Sequence, residues 1–281
     1  MLIICGNAFS LSYFLQNAYA PFLHVESGAY AYFLLNLANT TNAELELKNK
    51  GLSCVIGTTT YVYIADCSKC IVNSYNYQCL AEMNFSLITI RPSYLNNMTY
   101  DSFTRLNEAL YQVARFRALF LNMLVLHASA VVYRDEVILF SGVKGAGKST
   151  QARLWLENTD AWILNYDKPV VKLDEERVLV SGSPWGGKED LAINEVRPAK
   201  ALFFVHQAKE NRVVRLSSGM AYAEAHLNYF VYPLNADIEK RYNDSIIQLI
   251  KKVPVYDLYC TDTAEAVEAV KRVLYPEEEE R

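Results

Sequence analysis

Residues 136–157 read EVILFSGVKGAGKSTQARLWLE and combine three local patterns. Glu136–Ser141 is a short apolar run of strand character, and residues 149–157 have the composition of a helix. Between them, residues 142–150 match G-x-x-x-x-G-K-[ST], the spacing of a glycine-rich loop that cradles phosphate. The stretch therefore predicts a strand, a phosphate-binding loop and a helix in succession.

The loop predicts a binding site for a nucleoside triphosphate. Its glycines let backbone N–H groups face a phosphate, and the helix N-terminus adds a partial positive charge. Lys148 is spaced to reach the β- and γ-phosphates, and the Ser149 hydroxyl is spaced to bind Mg²⁺. The predicted nucleotide-binding residues are Gly142, Val143, Lys144, Gly145, Ala146, Gly147, Lys148, Ser149 and Thr150.

Length and composition indicate a large domain accompanied by a smaller one. The chain has 281 residues, of which 52% are hydrophobic. We expect a small α+β lobe over residues 1–100, a phosphate-loop domain over 101–276 and an acidic tail over 277–281. The net charge of −4 disfavours a nucleic-acid partner held by general electrostatics.

The N-terminal residues and the cysteines favour a cytoplasmic protein with no membrane segment. The first 23 residues carry no charge, but polar residues interrupt the apolar run and no positive segment precedes it. The six cysteines are scattered, which favours reduced thiols in the cytoplasm over a disulfide framework. Zinc at Cys67 and Cys70, flanked by Cys54 and Cys79, is the weaker alternative.

Hydrophobic spacing predicts the order of helices and strands. Apolar residues at three- and four-residue spacing over 101–123 predict one long helix, which joins the two lobes. The short Arg134-Asp135 link between two apolar runs predicts a hairpin. Later strands are expected at Trp162–Asn165, Val170–Leu173, Val178–Ser181, 201–206 and Val255–Cys260, with helices at 220–230, 238–251 and 264–274.

Two residues outside the loop are candidates for the chemistry. Asp167 follows the strand after the loop helix, and a parallel neighbouring strand would place it beside Ser149 as a metal ligand. A carboxylate that caps the turn before Pro169 is the alternative. His127 ends a strand and is a candidate active-site group, although a structural histidine is the commoner case.

A second glycine-rich loop covers residues 182–190, GSPWGGKED. Here Glu189 or Asp190 is a candidate to complete a metal shell and Lys188 to meet phosphate. A compact loop packed under its own Trp185 is an equally good interpretation.

Taken together, these segments resemble the C-terminal kinase domain of HPr kinase/phosphorylase. They are more similar still to HPr-kinase-like proteins, some of which are tailoring kinases of ribosomal-peptide clusters. The matching segments span about residues 120–275 in a fixed order: LHASAV (126–131), LFSGVKGAGKSTQARLW (139–155), ILNYDKPVV (163–171), GSPWGGKED (182–190), ENRVVRLS (210–217) and VPVYDLYC (253–260).

The resemblance implies a fold and a set of roles. It implies an α+β (α/β) fold. Its P-loop kinase domain would be similar to that of phosphoenolpyruvate carboxykinase and would contain a mixed, largely antiparallel sheet. It also implies ATP and Mg²⁺ as cofactors and His127, Lys148 and Asp167 as catalytic residues. Ser149, Asp167 and Glu189 would bind the metal.

One departure from the family pattern concerns residues 165–167. The family usually has Asn-Asp-Asp there, whereas this chain has Asn165-Tyr166-Asp167. Tyrosine, with a pKa near ~10, is a poor base at neutral pH. Phosphoryl transfer nevertheless needs little base catalysis, and Asp167 or His127 is available to replace the missing aspartate.

Two functional hypotheses follow from the resemblance. The first is an ATP-dependent kinase for a Ser or Thr hydroxyl of a peptide or small protein, such as a ribosomal precursor peptide. The second is an ATP-binding regulatory or peptide-recognition module that no longer catalyses. A metabolic carboxykinase is a distant third, and assembly into a homo-oligomer is compatible with the first two.

Overall fold

The computed structural model describes the strands of the N-terminal part and most of the chain beyond residue 100. The described residues are 2–6, 33–37, 52–56, 60–64, 69–74, 77–82, 87–92, 100–187, 193–229, 231 and 235–276. The chain divides into two compact units, Met1–Leu121 with Val231–Arg241 and Asn122–Phe230 with Tyr242–Arg281. The predicted domain boundaries at residues 100 and 276 stay a prediction.

The first unit contains a seven-stranded mixed sheet in the order β1-β2-β7-β6-β5-β4-β3. Strands β1, β2 and β7 pair in parallel, and the remaining pairs are antiparallel. The strands are β1 (Leu2–Gly6), β2 (Phe33–Leu37), β3 (Leu52–Ile56), β4 (Thr60–Ile64), β5 (Lys69–Ser74), β6 (Tyr77–Glu82) and β7 (Leu87–Pro92).

Helix α1 (Tyr100–Phe120) confirms the helix predicted over 101–123. Leu110, Val113 and Phe116 of the predicted apolar stripe are buried. The helix ends earlier than predicted because Asn122 adopts a left-handed φ of 54°.

The second unit is built on a nine-stranded mixed sheet in the order β11-β9-β10-β14-β13-β12-β8, with β16 on β14 and β15 on β16. The pairs β10–β14 and β14–β16 are parallel, and the other pairs are antiparallel. The strands are β8 (Met123–Val125), β9 (Ala128–Tyr133), β10 (Glu136–Ser141), β11 (Trp162–Asn165), β12 (Val170–Leu173), β13 (Val178–Ser181), β14 (Val196–Gln207), β15 (Arg212–Arg215) and β16 (Val255–Cys260).

The predicted hairpin is present between β9 and β10. Arg134 and Asp135 have φ values of 52° and 62°, and Tyr133 pairs with Glu136. Two consecutive positive φ values produce a turn whose twist matches that of the flanking strands. The hairpin fixes the register of β10, and thereby the position of the loop that follows it.

Four further helices occur among the described residues: α2 (Lys148–Asn158), α3 (Ser218–Tyr229), α4 (Ala236–Lys252) and α5 (Glu265–Leu274). None of the helices in the described part of the chain is both long and apolar enough to cross a membrane. Helices α2 and α5 contribute to one core cluster, in which Trp155 is fully buried. Phe203 stacks on Phe140 and on Tyr256, with ring centroids 5.7 and 5.1 Å apart.

Candidate active site

The glycine-rich loop connects β10 to α2, as the sequence predicts. Its three glycines have positive φ values, 141° at Gly142, 85° at Gly145 and 107° at Gly147. A Cβ on Gly142 would lie 3.2 Å from the carbonyl oxygen of Val205 on the neighbouring strand β14. All three residues thus favour glycine for conformation, and residue 142 also needs it for close packing on the sheet.

Lys148 begins α2 and folds back over the loop. Its Nζ donates hydrogen bonds to the carbonyl oxygens of Gly142 at 2.8 Å and Val143 at 3.1 Å. Burial lowers the pKa of Lys148; the Asp167 carboxylate opposes this effect, and the Lys168 charge adds to it. The ammonium is therefore held against the loop backbone by two carbonyl oxygens.

Two glutamines anchor the loop and its helix to the sheet. Gln207, the last residue of β14, donates from Nε2 to the carbonyl oxygen of Gly145 at 2.8 Å. Gln151 on α2 is buried and donates to the Cys260 sulfur of β16 at 3.2 Å. These bonds fix the loop against the carboxyl ends of the two strands β14 and β16, where open α/β sheets bind ligands.

His127 lies between β8 and β9, with its backbone tied to its neighbours. Its carbonyl oxygen accepts a hydrogen bond from Ser141 Oγ at 2.9 Å, next to the start of the glycine-rich loop. The following N–H, that of Ala128, donates to the carbonyl oxygen of Asp167 at 3.0 Å. Residues 127 and 167 are therefore held side by side through their backbones.

The side chains of His127 and Asp167 also meet. His127 Nε2 lies 3.2 Å from Asp167 Oδ1, and Lys168 Nζ lies 3.3 Å from the same oxygen. Burial by itself raises the pKa of Asp167, but the hydrogen bond from His127 and the charge of Lys168 outweigh it and leave that pKa below its usual value. The carboxylate is ionised at neutral pH and about one-third exposed, at 32%.

Asn165 sets the backbone conformation around Asp167. This side chain is fully buried at the end of β11, and its Oδ1 accepts the N–H groups of Asp167 at 2.9 Å and Lys168 at 2.7 Å. Side-chain bonds of this kind hold the tight turns in which Asn is common. Its Nδ2 donates to the Ser183 carbonyl oxygen at 3.1 Å, which ties the turn to the second glycine-rich loop.

Tyr166 packs against the core cluster that includes Trp155. Its carbonyl oxygen accepts a hydrogen bond of 2.9 Å from Ser129 Oγ. In place of the first carboxylate of the resembled family, this chain thus has an aromatic side chain that contributes to the core.

The described part of the second glycine-rich loop lies against Asp167. A Cβ on Gly187, whose φ is 77°, would lie 3.0 Å from the Cβ of Asp167. A Cβ on Gly182 would lie 1.8 Å from the carbonyl oxygen of Ile193, so no other residue fits there. Residues 188–192, which include Lys188 and Glu189, lie outside the described residues.

The strand that leads to Asp167 has a different neighbour from the one predicted. Strand β11, which leads to Asp167, does not lie beside β10 as a parallel neighbour. It pairs antiparallel with β9, which separates the two. Asp167 nevertheless reaches the loop electrostatically, because its charge acts on Lys148.

His127, Asp167 and Lys168 lie in one cluster, and the charges of Asp167 and Lys168 act on the pKa of Lys148. Sequence reasoning missed Lys168. The available signal was its position, directly after Asp167 at the end of a strand. Ser149 is exposed in the first turn of α2. The alternative of a carboxylate that only caps a turn does not describe Asp167, since the capping group of this turn is Asn165.

Asp167 is the carboxylate that the described cluster offers to a metal ion. Within the described ranges, no group of three or more His, Cys, Asp or Glu side chains is arranged to hold a metal ion. Mg²⁺ commonly uses one or two carboxylates together with substrate phosphates. Of the cysteines in the zinc alternative, Cys67 lies outside the described residues.

No protein-family model matches the chain, and no curated protein matches its sequence. Among solved structures, the chain is similar to the HPr(Ser) kinase/phosphatase from Coxiella burnetii, with a TM-score of 0.34 and 10% sequence identity. The similarity covers 55% of this chain and 98% of the other.

Proposed function

We propose that the chain is an ATP-dependent kinase that phosphorylates a Ser or Thr hydroxyl of a peptide or small protein. One observation carries the proposal: Lys148 Nζ lies against the glycine-rich loop, 2.8 Å from the Gly142 carbonyl oxygen, and the charge acting on its pKa includes that of Asp167, whose Oδ1 lies 3.2 Å from His127 Nε2. Phosphoryl transfer needs such a set, because cations must offset the developing charge while a carboxylate serves the metal and the acceptor.

The loop would bind the nucleotide through its backbone N–H groups. In the structure Lys148 Nζ contacts the carbonyl oxygens of Gly142 and Val143, so it lies where a β- or γ-phosphate would meet it. A phosphate oxygen would replace these weaker neutral acceptors with charge-assisted bonds.

Ser149 and Asp167 are the residues of the described site that would hold Mg²⁺, and Glu189 is a third candidate. When bound, the ion would supply positive charge that offsets the charge of the phosphates. The pKa of Asp167 below its usual value suits this role, since a metal ligand must be ionised.

His127 and Asp167 would orient the acceptor and receive its proton. The bond between the γ-phosphorus and the β–γ bridging oxygen breaks, the acceptor oxygen bonds to phosphorus, and the hydroxyl proton passes to the Asp167–His127 pair. ADP and a phosphoester result. Because the transition state is loose, a weak base in place of the missing first aspartate is compatible with turnover.

The experiment uses γ-labelled ATP, Mg²⁺ and peptides that contain Ser or Thr, with labelled products identified by mass spectrometry. We expect transfer by the wild type and a loss of about 10²-fold or more in Lys148→Ala. Lys251→Ala, which removes an exposed lysine at the end of α4, is the matched control and should retain wild-type transfer. Undiminished transfer by Lys148→Ala would refute the proposal.

A second candidate is an ATP-binding module without catalysis, and Tyr166 is the observation that favours it. The tyrosine contributes to the core where the resembled family supplies a carboxylate. This candidate predicts saturable binding of ATP–Mg²⁺ without labelled product on any peptide. Robust turnover by the wild type excludes it.

A further inference from the structure

We propose that Lys168 is a catalytic residue of this site and that its ammonium contacts the transferred phosphoryl group. The inference rests on the proposed function, because it assigns a further cation to the same reaction. Neither the loop motif nor the pattern Asn165-Tyr166-Asp167 includes this residue. Its role is inferred from its position, burial and charge.

The first observation is that Lys168 points its charge into the site. Its side chain is only 18% exposed, although lysine is among the residue types that proteins bury least. Its N–H is fixed by Asn165 Oδ1 at 2.7 Å, and its Nζ lies 3.3 Å from Asp167 Oδ1. Its backbone and its ammonium are thus both held next to Asp167.

The second observation is the balance of charge. Lys148 and Lys168 both interact with the single carboxylate of Asp167, and the charge of Lys168 acts on Lys148. Two ammonium groups around one carboxylate leave a positive excess within this trio. Bringing a polyphosphate between the two lysines would relieve their mutual repulsion, so the arrangement is complementary to an anion.

The third observation is competition for one oxygen. Asp167 Oδ1 is contacted by both His127 Nε2 and Lys168 Nζ. In the proposed reaction this carboxylate also serves Mg²⁺ and the acceptor. A cation at Asp167 would repel the Lys168 ammonium, and the negative charge of the γ-phosphoryl group would attract it. Lys148 would remain with the loop phosphates, so the two lysines would have separate roles.

The alternative is that Lys168 merely holds Asp167 in place through the ion pair. The two roles differ in what the substitution Lys168→Met removes. A residue that contacts the transferred group is needed most when charge develops there, and little for binding of the intact nucleotide. A residue that positions Asp167 is needed for the metal–nucleotide complex itself.

The experiment compares wild type, Lys168→Met and the charge-retaining Lys168→Arg. Calorimetry gives the affinity for ATP–Mg²⁺, and trapping with ADP, Mg²⁺ and aluminium fluoride reports binding of a transition-state mimic without turnover. Peptide phosphorylation is measured in parallel. Lys172→Met is the matched control, because Lys172 is similarly covered at 21% exposure and pairs with Asp174 at 2.8 Å.

We expect Lys168→Met to bind ATP–Mg²⁺ within about threefold of wild type and to lose about 10²-fold in both trapping and kcat. Lys168→Arg should trap the mimic and turn over about tenfold better than Lys168→Met. Lys172→Met should match the wild type. Should Lys168→Met fail to fold, Lys168→Gln replaces it.

If Lys168→Met kept wild-type trapping and turnover, the inference would be overturned while the proposed function would stand. A loss of ATP–Mg²⁺ affinity as large as the loss of turnover would indicate a positioning role, and it would also overturn the inference alone. A wild type that binds ATP yet neither traps the mimic nor transfers phosphate overturns the proposed function, and the inference with it.

Discussion

Asn165 Nδ2 donates a 3.1 Å hydrogen bond to the carbonyl oxygen of Ser183, which joins the turn that carries Asp167 to the second glycine-rich loop. Through Oδ1, the same amide also accepts the N–H groups of Asp167 and Lys168. A single buried side chain therefore organises both segments that border the phosphate loop. Nδ2 also lies 3.3 Å from Ser183 Oγ, which accepts the N–H of Trp185 at 3.2 Å, so the Ser183 hydroxyl takes part in the arrangement.

Asn165→Ala should destabilise the second unit markedly. The substitution leaves two N–H groups and one carbonyl oxygen without this partner in a buried region, and each orphaned group costs about 1–3 kcal/mol. We expect the free energy of unfolding to fall by about 2 kcal/mol or more, measured by urea denaturation. Asn228→Ala, at a half-buried position of α3, should change it by less than ~0.5 kcal/mol; equal effects of the two substitutions would contradict this account.

Gly187→Ala should disturb Asp167 directly. The new Cβ would lie 3.0 Å from the Cβ of Asp167, and the φ of 77° is unfavourable for alanine by about 1–2 kcal/mol. We expect a loss of stability of that order and a fall of about tenfold or more in phosphate transfer. Gly219→Ala provides the control, since its Cβ would meet nothing within 4 Å and its φ is not positive. That variant should be neutral or slightly more stable and fully active.

Local patterns in the sequence were sufficient to predict the elements that carry the site. The glycine spacing at 142–150 implies a strand before it and a helix after it, and both are present. The Arg134-Asp135 link predicts the hairpin because only a two-residue turn fits between its strands. These features depend on contacts between residues close in sequence.

The prediction of a parallel neighbour for β11 was wrong, because strand pairing depends on contacts between residues distant in sequence. Periodicity predicts the strand Trp162–Asn165, but it does not say which neighbour the strand selects. Strands β3, β5 and β6 were not predicted from the sequence, since their residues alternate only weakly between apolar and polar types. Lys168 was missed for a related reason: its partner is Asp167, whose carboxylate orientation is set by Asn165 and His127.

Gln207→Ala should weaken nucleotide binding with little effect on stability. Its side chain donates to the Gly145 carbonyl oxygen at 2.8 Å in an exposed position, so it restrains the loop without supporting the core. Loss of one such bond is worth about 1 kcal/mol, or roughly fivefold in affinity for ATP–Mg²⁺ measured by calorimetry. Gln112→Ala, which removes the exposed bond to Glu108 on α1, should leave this affinity unchanged. An unchanged affinity in Gln207→Ala would show that the loop is held by its other contacts.

Cys260 should react with alkylating agents only at high pH while the chain is folded. Burial raises the pKa of this thiol to about 11, and the side chain accepts a hydrogen bond from Gln151. The folded chain therefore binds this proton more tightly than the unfolded chain, in which the pKa is near ~8.5. The resulting contribution to stability is complete below pH ~8.5 and is lost as the pH rises towards the folded pKa.

At pH 8 the thiolate fraction of Cys260 is small, so iodoacetamide should modify it about 10²-fold more slowly in the native chain than in urea. The native rate should then rise about tenfold per pH unit up to the folded pKa. Peptide mass spectrometry separates Cys260 from the five other cysteines, all of which precede residue 80. A native rate that levels off near pH 8.5 would mean that the thiol is open to solvent in the folded chain, which would contradict this account.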